Sequence, residues 1–158
     1  MDQPFIVNEN IPFIKEQLEL LKKINKVIIK CNFEYIHSLP DNIECITIMS
    51  HSDFNQPLEN LPFNLKILNI YDDTFNQSLD SLPVNLEKLV IGSKTYNKPL
   101  DNLPSNLKIL YFIRFVKYNQ PLTNLPNSIE KITVYTYYKY KEQLKNLYPN
   151  ANIEITDW

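Results

Sequence analysis

Two histidines, two cysteines and a cluster of acidic residues are the side chains of this chain best suited to chemistry. Neither His37 nor His51 has a second ligand at a metal-binding spacing. Neither lies in a serine or cysteine nucleophile pattern. Gly92 is the single glycine, so no glycine-rich phosphate loop exists. One constellation remains: His51, Asp53, Asp72 and Asp73, which fall in equivalent turns of neighbouring sequence units and could converge on a cation. Short connecting turns are ordinarily polar and solvated. The expectation is therefore no metal, with these four residues as the candidates should one bind, no cofactor and no catalytic residue.

The units that carry those turns recur along the chain. Leu39-Pro40, Leu61-Pro62, Leu82-Pro83, Leu103-Pro104 and Leu125-Pro126 are spaced by 22, 21, 21 and 22 residues in matching surroundings. A period of about 20–29 residues with spaced leucines marks a leucine-rich-repeat solenoid. Each unit ends in apolar-x-x-apolar-x-apolar, as in Leu65, Leu68, Ile70 and in Leu86, Leu89, Ile91. The final alternation is a strand signal. Extending the register in both directions predicts seven parallel strands near 24–29, 43–48, 65–70, 86–91, 107–112, 129–134 and 150–155. The expected fold is an α/β repeat: a short leucine-rich-repeat-like solenoid with one curved parallel sheet of about seven strands and helical caps.

One solenoid domain spanning 1–158 follows, divided into an N-terminal helical cap (1–23), the repeats (24–134) and a C-terminal cap (135–158). An open stack needs ends that cover its core. Ile14, Leu18 and Leu21 lie on one helical face within residues 10–23, with Asn10 placed as N-cap and Pro12 in the first turn. Residues 138–147 predict a second helix, in which Leu144 and Leu147 take the register of Leu122 and Leu125. Trp158 closes the stack.

The 44% apolar content suffices for one continuous core, and the net charge of −2 gives no field to recruit nucleic acid or an anionic membrane. The start of the chain lacks the basic and apolar regions of a signal peptide, and no segment reads as a membrane span. Cys31 and Cys45 occupy positions a disulfide could not easily join and are expected as free thiols in a reducing compartment. A cytoplasmic location is the expectation. Asn76-Gln77-Ser78 matches a glycosylation acceptor, but Asn76 is expected to point inward, which makes the match accidental.

Phe54-Asn55-Gln56-Pro57-Leu58 and Tyr118-Asn119-Gln120-Pro121-Leu122, with Phe75-Asn76 and Tyr96-Asn97 between them, resemble the FNIP repeat family over about residues 32–134. This divergent leucine-rich-repeat group is expanded in social amoebae and in large DNA viruses of amoebae, so a viral origin would imply the host cytoplasm. The glycine common before Phe-Asn is absent from most units, and Tyr96 and Tyr118 replace phenylalanine. The resemblance implies a non-catalytic binding scaffold. Some members carry an F-box, but about 23 residues precede the first expected strand, too few for such a domain.

Physically, Phe54, Phe75, Tyr96 and Tyr118 are expected to stack as an aromatic spine. Asn55, Asn76, Asn97 and Asn119 are expected to turn inward and satisfy backbone groups, while Asn42, Asn64, Asn85 and Asn106 suit the turn before each strand.

The strand face that points away from the core should be polar. It instead gathers Ile67, Tyr71, Val90, Ile109, Tyr111, Ile113 and Tyr135, and a contiguous apolar patch marks an interaction surface. The reading is a non-catalytic protein-binding scaffold that takes an unidentified protein partner on this concave face. The alternative is a self-associating structural or packaging component that closes a homodimer through the same patch. Neither nucleic acid nor membrane is an expected partner.

Overall fold

The computed structural model describes residues 3–113 and 116–157. Its eight strands are β1 (Phe5–Val7), β2 (Lys26–Ile29), β3 (Cys45–Ile48), β4 (Ile67–Ile70), β5 (Lys88–Ile91), β6 (Ile109–Phe112), β7 (Lys131–Tyr135) and β8 (Asn152–Thr156). They form one all-parallel sheet in chain order. Helix α1 (Lys15–Leu21) precedes β2 and helix α2 (Lys141–Leu147) precedes β8. This is a short repeat solenoid.

Register follows the sequence period. Lys26, Cys45, Ile67, Lys88, Ile109, Lys131 and Asn152 pair in succession across β2 to β8. The inward residues of β2 to β7, from Val27 and Ile29 to Ile132 and Val134, are all buried. At roughly 1.5–3 kcal/mol for each large aliphatic side chain, these columns are the main favourable term holding the stack together. The leucines flanking each proline, such as Leu58 and Leu61, close the other side of the core.

Each Leu-Pro pair starts a turn. The amides of Ile43, Leu65, Leu86, Leu107 and Ile129 donate to the carbonyls of Pro40, Pro62, Pro83, Pro104 and Pro126 at 3.0–3.1 Å. The first apolar residue of the motif therefore closes a turn, and the strands start later than the sequence pattern predicts. Asn42, Asn64, Asn85 and Asn106 occupy the third position of these turns, which suits asparagine.

Both ends depart from expectation. Residues 1–23 are not a purely helical cap, because β1 adds an eighth strand, pairing Phe5 with Val27 and Val7 with Ile29. Helix α1 is shorter than residues 10–23. It starts after Ile14, whose amide donates to Gln17 Oε1 at 3.0 Å, while Asn10 Oδ1 accepts from the Glu34 amide at 2.8 Å. Asn10 ties down a neighbouring loop and caps nothing.

At the far end, Leu144 is buried but Leu147 is 44% exposed. Residues four apart share a helical face, so Tyr148 takes the expected place of Leu147. Its hydroxyl accepts from the Leu125 amide and donates to the Leu122 carbonyl, each at 2.9 Å. Trp158, expected to close the stack, lies outside the described residues.

Candidate functional site

The expected spine forms. Phe54, Phe75, Tyr96 and Tyr118 stack with ring centroids 6.1–6.3 Å apart, and Tyr138 extends the column at 6.1 Å. The hydroxyls of Tyr96 and Tyr118 are buried without a hydrogen-bond partner among the described residues. Burial pushes both phenols above the ordinary tyrosine range. Tyr138 escapes this cost by donating to the Gln120 carbonyl at 2.9 Å.

The asparagines beside the spine do not turn inward. Asn55, Asn97 and Asn119 are exposed and Asn76 is half-buried. Their side chains run along the stack instead. Asn55 Oδ1 accepts from the Asn76 amide at 3.0 Å, Asn76 Oδ1 from the Asn97 amide at 3.3 Å, and Asn97 Oδ1 from the Asn119 amide at 2.8 Å. Asn32 begins the ladder by accepting from the Asn55 amide at 3.4 Å. The amides needing partners belong to the next unit, one strand spacing away, so a side chain directed along the stack reaches them.

His51, Asp53, Asp72 and Asp73 do not assemble a metal site. Among the described residues no three His, Cys, Asp or Glu side chains gather with metal-binding geometry. Asp72 is buried, and its carboxylate is saturated. Oδ2 accepts from the Ser52 amide and hydroxyl, each at 2.9 Å, and Oδ1 from the Thr74 amide and hydroxyl at 2.8 and 2.6 Å. Burial raises its pKa, but the hydrogen bonds from Thr74 and Ser52 outweigh that and hold it below the usual carboxylate range. Asp73 pairs with Lys94 at 2.6 Å. His51 and Asp53 sit at φ of 60° and 53°, a left-handed conformation these types tolerate better than most. Their chemistry serves a turn.

Asp72 is thus a clamp between adjacent turns, a role its sequence context signals only through Asp72-x-Thr74. Ser93 does similar work one unit on, donating to the carbonyl of Phe75 at 2.7 Å.

The strand register places members of the expected patch in adjoining columns of the outward face. Ile67 and Ile109 flank Lys88 in one register column, and Asn69, Val90 and Tyr111 form the next. Ile67, Tyr71, Ile109, Tyr111, Ile113 and Tyr135 are half-buried. Val90 differs, being 2% exposed. It is buried on this face and offers almost no surface to a partner. A Cβ on Gly92 would lie 3.0 Å from the Ile70 carbonyl oxygen and 3.1 Å from Ile113 Cδ1, which marks how tightly Ile113 packs over this face. Burial raises the Tyr71 phenol and the Cys45 thiol, and both cysteines are free.

Sequence reasoning missed the rim beside the patch. The residue preceding each of β3 to β7 alternates in sign through Glu44, Lys66, Glu87, Lys108 and Glu130. Glu44 meets Lys66 at 2.8 Å and Glu87 meets Lys108 at 3.0 Å. These exposed pairs contribute little stability. The alternation itself was the available signal.

A cavity of about 1110 Å³ also lies between the turns after β6 and β7, lined in part by Phe112, Val116, Tyr118, Val134 and Tyr137. Five residues separate Phe112 from Tyr118, whereas three separate Val134 from Tyr138.

No helix among the described residues is long and apolar enough to cross a membrane. No curated protein matches the chain. The family model for the FNIP Repeat matches residues 54–94 and 75–115, two overlapping stretches that cover β4 to β6 and the spine from Phe54 to Tyr96. The FNIP repeat is not known as a catalytic unit. The Leu-Pro turns, the aromatic spine and the asparagine ladder repeat through these matched units, so residues 54–115 are FNIP repeats.

Proposed function

We propose that this protein is a non-catalytic scaffold that takes a protein partner on the outward face of β4 to β7. The observation that carries this reading is the contiguous set Ile67, Tyr71, Ile109, Tyr111 and Ile113, half-buried on a face that the core does not use. The inward columns are complete without it. Apolar and aromatic side chains grouped on such a face lower the cost of desolvating it when a partner arrives.

The test is Ile67→Glu combined with Tyr111→Glu. Circular dichroism should show a preserved fold, because neither side chain belongs to the core columns. Partner capture from native cells should be lost, since the change buries unpaired charge at the centre of the contact. Light scattering assigns the occupant: a doubled mass that the substitutions halve would make the partner a second copy. Full retention of every wild-type interaction by the folded variant would refute this face as the working surface.

A further inference from the structure

The charges of the outward face are not balanced. Its three columns carry Lys26, Lys30, Lys88 and Lys131, and their single carboxylate is Glu154. Glu154 is already engaged, meeting Lys131 at 2.8 Å. Among the described residues Lys26, Lys30 and Lys88 form no ion pair. The chain as a whole is acidic, with a net charge of −2. Along the adjacent rim, Glu44 and Glu87 are closed by Lys66 and Lys108, and Glu130 stands exposed at its end. Positive charge is therefore concentrated over the apolar columns themselves. Lys26 and Lys88 both act on the Cys45 thiol between them, although burial and not these lysines sets the direction of its shift.

We infer that the segment taken up by this face is an acidic peptide, with carboxylates flanking aliphatic or aromatic side chains. This rests on the proposed scaffold reading and specifies its partner. Lys26 on β2 and Lys88 on β5 are three strand spacings apart, about 14 Å. A carboxylate bonded to one of them lies beyond the Debye length of about 8 Å at physiological salt from the other, so pairing both lysines directly takes two carboxylates. An extended peptide advances about 3.3 Å per residue. Carboxylates roughly four residues apart span the two lysines, and an apolar residue between them lies over Ile67. The aliphatic side chains Ile67, Ile109 and Ile113 suit such a peptide, whereas a nucleic acid strand would call for stacking platforms and denser positive charge.

A phage-displayed random peptide library panned on three immobilised proteins tests this: the wild type, Lys26→Glu with Lys88→Glu, and Ile67→Glu with Tyr111→Glu, each checked for folding by circular dichroism. The wild type should enrich clones with two or more Asp or Glu around an aliphatic or aromatic residue. Their binding should weaken about tenfold between about 0.05 and 0.5 M salt. The lysine variant should lose them, and so should the patch variant. Acidic clones held equally by the wild type and the lysine variant, or wild-type clones with no excess of acidic residues, would overturn the inference while leaving the scaffold reading standing. Retention by the patch variant would instead overturn the scaffold reading. Retention of mixed-sequence single-stranded RNA by the wild type, lost in the lysine variant, would replace the peptide with nucleic acid.

Discussion

The two sides of the same strands obey different rules. Inward, every unit offers the same class of side chain at the same register: Ile46, Leu68, Leu89, Leu110 and Ile132 are all fully buried. Outward, the paired column reads Cys45, Ile67, Lys88, Ile109 and Lys131, with no common chemistry. Stacking demands sameness only where one unit packs on the next. Apolar residues on the outward side are thus not accounted for by the repeat, which makes them informative about function.

The largest effect should come from the inward side. Leu89→Ala removes a fully buried side chain and should cost about 2–5 kcal/mol, read from the shift in urea midpoint. Asp72→Ala comes next, at about 2–3 kcal/mol, because it strands the buried Ser52 donors and the Thr74 amide. The pH dependence of this clamp has a definite sign. The folded pKa of Asp72 lies below its unfolded value of about 3.9, so the contribution is fully present above that value and is lost as pH falls through the folded pKa. Urea midpoints measured from neutral to acid pH should show Asp72→Asn with a flatter acid limb than the wild type.

Asn76→Ala tests the ladder. This rung should cost about 0.5–1 kcal/mol, since Asn97 is exposed and water can replace the lost partner of its amide. A loss above about 3 kcal/mol would return the column to a buried role. The smallest change should be Tyr118→Phe, neutral or stabilising by up to about 1 kcal/mol in thermal unfolding, because it deletes a buried hydroxyl that has no partner among the described residues.

These contrasts also show what the chain made legible. Inward columns were readable because each residue recurs in a fixed period, and the same period placed the spine aromatics. Strand β1 escaped because it is three residues long and no Leu-Pro pair separates it from β2, although Phe5 and Val7 stand one period before Val27 and Ile29. The direction of Asn55 and Asn76 was hidden for another reason: a period shows that a position repeats, not whether its side chain bonds within its own unit or to the next. Asp72 was misread because its partners Ser52 and Thr74 lie in turns of different units. Within the patch, the register columns were correct, but a column does not say how deeply each member sits, and Val90 is buried.

A matched pair of double substitutions tests most directly whether the outward apolar residues are surplus to the fold. Ile67→Ala with Ile109→Ala empties two outward positions; Leu68→Ala with Leu110→Ala empties the inward positions next to them. Urea denaturation should show the outward pair costing about 2 kcal/mol or less and the inward pair about 5 kcal/mol or more, or failing to fold. If the outward pair were as destabilising as the inward pair, the patch would be part of the core's support, and its apolar character would no longer point to a partner.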